Sequence, residues 1–224
     1  MNGTSPSWRQ AISRLSDMSC AAGGLLLLMP VFLGVALLIL CDDGPPVLFS
    51  QARVGKGGKP FRIWKFRTMR AGSRGSVITA AGDGRITRAG ALLRKYKVDE
   101  LPQLFNVLKG DMNLVGPRPE VPQHVQLETP IWQAVLQVRP GITDLASLLY
   151  RDEARILGAS GDPDSLYRES ILPAKLALNL AYLRSRSFWQ DLRLIFMTIR
   201  YAVLRETFQP DLIKAAFLSG VRSE

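Results

Sequence analysis

The residues best suited to chemistry are two adjacent carboxylates, Asp99 and Glu100, with Arg94, Lys95 and Lys97 crowded just before them. Leu101, Leu104, Phe105 and Leu108 follow with helical spacing, Pro102 is early enough to be tolerated, and Gly110 is placed to stop the helix. Asp99 therefore reads as an N-cap and Glu100 as a first-turn residue. At a helix N-terminus carboxylates stay ionised, and free N–H groups attract anions. Acids among cations at an anion site point to phosphate chemistry with a metal. Plain capping would account for the same two residues.

Composition narrows the alternatives. A net charge of +10 over 224 residues implies anionic partners, whether nucleic acid, acidic lipid or a phosphorylated substrate. Cys20 and Cys41 suit neither a metal motif nor a disulfide framework, and His124, the only histidine, reads as a surface residue. His-rich zinc sites are thereby excluded, and no nucleophile motif accompanies His124. Any catalysis here should use carboxylates and cations, with or without a hard metal.

Several elements must position these groups. From Met18 to Cys41 no charge interrupts about 24 residues, enough to cross a bilayer. Pro30, with Gly23, Gly24 and Gly34 around it, makes a bend inexpensive. Arg9 and Arg14 before the segment, and Arg53, Lys56, Lys59 and Arg62 after it, favour both ends on one side of a membrane, and Trp8 suits an interface. These residues leave a single span and a re-entrant hairpin both open. Residues 47–52 and 61–66 read as two strands joined by Gly55-Lys56-Gly57-Gly58, a turn rather than a phosphate loop because no helix follows. Residues 72–84 read as a loop, and Thr87 caps a helix that brings Arg88 and Arg94 toward Asp99. Farther on, a helix over Ser165–Arg184 is interrupted near Pro173. The next helix carries Trp189, an apolar stripe of Leu192, Ile195, Phe196, Ile199 and Val203, and Arg193, Arg200 and Arg205. Such a stripe serves equally as core or as a face for an anionic membrane, and the tail after Pro210 shares the ambiguity.

Three motifs carry a family resemblance. Asp99-Glu100-Leu101-Pro102-Gln103-Leu104-Phe105-Asn106-Val107-Leu108-Lys109-Gly110-Asp111-Met112, followed by Gly116-Pro117-Arg118-Pro119, closely resembles the signature of bacterial sugar transferases, the monotopic phosphoglycosyl transferases. Lys65-Phe66-Arg67-Thr68-Met69, with Gln51, Arg53 and Gly55, matches a second motif, and Arg139-Pro140-Gly141-Ile142-Thr143 with Arg151 a third. Arg14 and Asp17 match the pattern ahead of the apolar segment.

The resemblance implies a helix-rich α+β fold with a small β-hairpin and an N-terminal re-entrant helix hairpin. Residues 1–46 would form the membrane segment, its re-entrant helix over about 18–41 bent at Pro30. Residues 47–224 would form a transferase domain with interfacial amphipathic helices, facing the cytoplasm at the bacterial inner membrane. The implied reaction moves a sugar 1-phosphate from a nucleotide diphosphate sugar, a UDP-sugar, to polyprenol (undecaprenyl) phosphate. Asp99 would be the nucleophile, Glu100 a metal ligand or a positioner of the second substrate, and Mg²⁺ the cofactor, with both acids as its candidate ligands. Arg118, Lys65, Arg67, Arg88, Arg94 and Arg151 are the expected phosphate contacts. Lipid of the cytoplasmic leaflet is a partner, nucleic acid is not, and a homodimer is compatible. The chain departs from the family pattern at Met29, Lys97, Asp144, Ser147, Leu148 and Leu149. A non-catalytic, membrane-anchored basic module binding acidic lipid or nucleic acid is the competing reading. It explains the charge but not Asp99-Glu100 or Gly116-Pro117-Arg118-Pro119.

Overall fold

A computed structural model describes residues 7–73, 75, 78–204 and 207–218. Ser5, Pro6 and Arg205 fall outside the described residues, as do the side chains of Trp8 and Arg9. The chain begins with α1 (Ser7–Leu27) and α2 (Met29–Asp43), bent by 60° at the break between them. Pro30 lies in the first turn of α2, where its missing N–H and its ring end the ladder of the preceding helix. Among the described residues no single helix is long and apolar enough to cross a membrane; this bent pair meets the requirement of length and composition only when its two helices are taken together.

An antiparallel hairpin follows, β1 (Leu48–Val54) with β2 (Pro60–Phe66), registered Leu48 to Phe66 and Val54 to Pro60. Its turn uses Gly57 and Gly58 at positive φ, 67° and 76°. Next come α3 (Arg88–Lys95), capped by Thr87 Oγ1 accepting from Gly90 N at 2.9 Å, and α4 (Gln103–Lys109), closed by Gly110 at φ 98°. β3 (Asn113–Val115) leads past α5 (Pro130–Val135) to β4 (Gly141–Thr143), its parallel partner. The remainder is helical: α6 (Leu145–Leu149), α7 (Glu153–Gly158), α8 (Pro163–Leu166), α9 (Leu172–Ser185), α10 (Phe188–Val203) and α11 (Pro210–Leu218). A π-turn over Tyr167–Ile171 separates α8 from α9, the interruption expected near Pro173. The protein is thus a helix-rich α+β structure with a small two-stranded hairpin.

Both arms of the bent pair pack on the same body. Ala21 of α1 is buried with Ile63, Leu104, Val107 and Met112, while Val35 and Ile39 of α2 are buried with Phe66 and Leu93. Polar bolts reinforce each end. Arg14 donates to the carbonyls of Val107, Leu108 and Met112, where the end of α4 attracts a cation. At the far end Asp42 Oδ2 accepts from Ala89 N at 2.8 Å, and Asp43 accepts from Ala71 N and pairs with Arg67. The bend itself is bare, with Leu26 70% and Leu27 79% exposed.

The stripe of α10 divides. Leu194 and Tyr201 are buried against Val115, Leu145 and Tyr182, with Ile195 packed beside them. Leu192, Phe196, Ile199 and Val203 face outward with Trp189, and Phe196 is 65% exposed.

Candidate active site

The two carboxylates lie in a tight turn, not at a helix cap. Val98–Glu100 form a 3₁₀ turn entered through Lys97 in the left-handed conformation (φ 58°, ψ 18°), and α4 starts only at Gln103. This corrects the expectation that Asp99 caps a helix. Pro102 has no N–H to bond the Val98 carbonyl in α-fashion, and Leu101 N takes that carbonyl at 3.2 Å instead. The turn rolls both acids inward, each 7% exposed.

Their surroundings make them unlike. Glu100 Oε1 accepts from Lys65 Nζ on β2 at 2.7 Å and from Arg118 Nη2, and Oε2 accepts from Arg118 Nη1 at 3.2 Å. Burial opposes ionisation of Glu100, but Arg118 and Lys65 outweigh it and hold the carboxyl well below its usual range. Burial pushes the Lys65 ammonium down to about 8, with Glu100 pulling it back up. Asp99 differs. Its Oδ1 is buried with no hydrogen-bond partner among the described residues. Burial, and then the Glu100 charge, raise its pKa against the pull of Lys65, Lys97 and Arg94. Arg94 is aimed by a bond from its Nε to Thr68 Oγ1 at 2.8 Å.

Close backbone contact brings the motifs together. A Cβ on Gly90 would overlap the Thr68 carbonyl, and one on Gly141 would overlap Gly116, both well inside the 3.0 Å that real Cβ atoms respect. Glycine thus lets α3 sit on the Thr68 backbone, and lets the segment carrying Arg118 run against β4.

The bacterial sugar transferase family pattern matches residues 8–205. The chain belongs to the bacterial sugar transferase family. Among relatives, it is 39% identical over 194 residues to the UDP-N-acetylgalactosamine-undecaprenyl-phosphate N-acetylgalactosaminephosphotransferase of Aeromonas hydrophila, covering 84% of this chain and 43% of that protein. It is 38% identical to the UDP-glucose:undecaprenyl-phosphate glucose-1-phosphate transferase of Caulobacter vibrioides, covering 83% and 67%. To the exopolysaccharide production protein PSS of Rhizobium leguminosarum bv. phaseoli it is 38% identical, covering 84% and 93%. The chain therefore spans less than half of the first of these and about two thirds of the second.

Within this member of the family the other expected site residues divide. Lys65, Arg94 and Arg118 surround the acids. Arg67 does not face them: it is 6% exposed, donates to the carbonyls of Pro46, Asp43 and Gly44, and pairs with the Asp43 carboxylate. It clamps the end of α2, so the expectation of a phosphate contact there is corrected to an anchoring role. Arg88 is exposed on the first turn of α3. Arg151 sits with its guanidinium 5.0 Å from the centre of the Phe208 ring. Pro30 lies in the first turn of α2, just past the break between the two helices. Asp144, at a departure from the family pattern, caps α6 by accepting from Ser147 N at 2.9 Å.

The expected surface His124 is also corrected. Its side chain is packed inside, Nδ1 3.7 Å from Glu120 Oε2 and the ring 5.3 Å from that of Tyr167. Glu120, which sequence reasoning passed over, is the hub of a buried network. Tyr167 OH donates to its Oε1 at 2.6 Å, and Arg53 lies 3.9 Å from its Oε2 while donating to the Pro119 carbonyl. Arg118 is thereby held from behind. Burial opposes ionisation of Glu120, but His124, Lys175, Tyr167 and Arg53 bring its pKa down to about 2. A lowered carboxylate stabilises the fold at every pH above its unfolded value and loses that contribution as pH falls toward 2. Urea titrations should therefore show about 2–3 kcal/mol lost below about pH 4.5 through this group. Glu120→Gln should flatten that part of the profile, and an unchanged acid limb would contradict the assignment.

No group of three or more His, Cys, Asp or Glu among the described residues could hold a metal by itself. Mg²⁺ asks for less, since one or two carboxylates complete a shell made mostly of substrate phosphate and water. Asp99 has two carboxylate oxygens and, among the described residues, no cation gripping them as Lys65 and Arg118 grip Glu100, so it could offer one to the ion and leave the other free. The Glu100 oxygens are engaged by Lys65 and Arg118.

Proposed function

We propose that this chain transfers a sugar 1-phosphate from a nucleoside diphosphate sugar to polyprenol phosphate through a covalent intermediate on Asp99. The observation that carries the reading is the contrast within the pair. Glu100 is saturated by two cations, while the buried Oδ1 of Asp99 lacks a partner among the described residues and is free to attack. The names of the Aeromonas and Caulobacter relatives, both undecaprenyl-phosphate sugar phosphotransferases, support the substrate classes.

In the first step an Asp99 oxygen bonds to the sugar-linked phosphorus. The bond from that phosphorus to the bridging oxygen breaks, and nucleoside monophosphate leaves with the electron pair. In the second, a phosphate oxygen of the polyprenol phosphate attacks the same phosphorus and Asp99 departs as carboxylate. A desolvated carboxylate needs no general base and is a stronger nucleophile than a solvated one. Arg94, Lys65 and Arg118 offset the charge that gathers on the phosphoryl oxygens, and Glu100 keeps the latter two in place. Mg²⁺, held by Asp99 with Glu100 beside it, would supply further neutralisation of phosphate charge. Incubating the full chain with a panel of UDP-sugars and polyprenol phosphate tests the reaction. Monophosphate release with a diphosphate-linked lipid product is expected, and release from no donor would refute it.

The same reading makes α1–α2 a re-entrant hairpin at the cytoplasmic face of the bacterial inner membrane. Arg14 at one end and Asp42 and Asp43 at the other are tied to one body, which supports both ends lying on one side. The exposed leucines at the bend, and the outward stripe of α10 flanked by the exposed Arg193 and Arg200, suit an anionic leaflet. Single cysteines introduced at Ile12 and Lys56 should both be labelled from the cytoplasm. Labelling of the two from opposite sides would show a span instead.

A further inference from the structure

Lys97 is the one non-glycine residue with positive φ among the described residues. A side chain in the left-handed region is strained, and such strain gathers at binding sites and switches. Here it sets the turn that rolls Asp99 and Glu100 inward while leaving the lysine exposed at their edge. The neighbouring cations are engaged: Lys65 and Arg118 with Glu100, and Arg94 with Thr68. Lys97 forms no side-chain hydrogen bond or ion pair among the described residues, yet its charge is felt at both carboxylates. Its place in the fold indicates which ligand it meets. The next residue, Val98, packs with Leu101 against the cluster that joins Val35 and Ile39 of α2 to Phe66 and Leu93. Leu92, Tyr96 and Phe105 expose apolar surface around this junction, and Phe105 meets Phe32 of α2 at 6.2 Å. Lys97 thus stands where the apolar bent pair reaches the buried acids, which is the side from which a lipid-borne phosphate would approach.

We propose that Lys97 binds the phosphate headgroup of the lipid acceptor and presents it to the phosphorus carried on Asp99. The inference rests on the reaction proposed above. It separates Lys97 from Arg94, Lys65 and Arg118, which serve the phosphoryl group in transfer.

Three variants test it in steady-state and single-turnover assays: Lys97→Gly, Lys97→Asn and Lys97→Arg. Glycine and asparagine tolerate the left-handed backbone, so neither should unfold the turn, and Lys97→Gly should raise Tm by about 2–4 °C. Both should raise KM for polyprenol phosphate about tenfold, the loss of one charge-assisted contact. The KM for the nucleotide sugar, and monophosphate release in the absence of acceptor, should change much less than the acceptor KM, because Lys97 reaches Asp99 only through its charge. Lys97→Arg should keep the acceptor KM within about twofold. A rise in donor KM with the acceptor KM unchanged would place the lysine on the nucleotide and overturn the inference. Three variants kinetically identical to the unsubstituted chain would show a solvated lysine and overturn it too. Absence of turnover in the unsubstituted chain is a different failure, of the reaction itself.

Discussion

Asp99→Asn should lower turnover by at least about 10⁴-fold while leaving the protein folded. An amide oxygen cannot displace nucleoside monophosphate and then depart as a stable carboxylate, so the chemistry stops at the first step. Stability should not fall with it. Asp99 Oδ1 has no hydrogen-bond partner among the described residues, and burial with the Glu100 charge outweighs the pull of the nearby cations, so a neutral isostere removes a net disfavoured anion. Equal or higher Tm together with lost turnover would separate chemistry from structure. A variant that retains more than a few per cent of the activity would reduce Asp99 to a supporting group.

Gly141→Ala should have the opposite signature, loss of the fold itself. The added Cβ would overlap the backbone N and O of Gly116, and backbone cannot swing aside as a side-chain tip can. Separating β3 from β4 breaks the bond from Gly116 N to Thr143 O at 3.1 Å and pulls Arg118 off Glu100. A cost of about 3 kcal/mol or more is expected, read as a lower urea midpoint or failure to accumulate as folded protein. Gly34→Ala is the control, since nothing lies within 4 Å of the position its Cβ would take. Equal stability of the two variants would show that the close approach carries no weight.

Features with local causes were legible before any coordinates. The Gly57–Gly58 hairpin turn, the Thr87 cap and the Gly110 stop each follow from one or two residues and their backbone preferences. The Asp99-Glu100 pair was legible for the same reason, by residue type and spacing. Its conformation was not, because capping propensity at Asp99 competes with a proline three residues later and a left-handed lysine two residues before. Partner choice was the least legible. Arg67 and Lys65 are two residues apart on one motif, yet one grips the end of α2 and the other Glu100. Alternation along an extended chain puts adjacent residues on opposite faces, so residues two apart share one, and only tertiary packing decides which anion each cation reaches. His124 was misread because its neighbours in sequence are uninformative, while Glu120 and Tyr167 close over it in space. Gly90 did leave a signal. A glycine inside a helix is costly unless something presses against it, and the Thr68 backbone does.

The covalent intermediate is tested most directly by stoichiometry. Unsubstituted protein given its nucleotide sugar and Mg²⁺, with no polyprenol phosphate, should release about one equivalent of nucleoside monophosphate and then stop. Peptide mapping of the trapped protein should place the sugar phosphate on Asp99, and adding polyprenol phosphate should discharge it and restart turnover. Release that requires the lipid acceptor from the outset, with no label on Asp99, would contradict the two-step reaction and favour direct attack within a ternary complex.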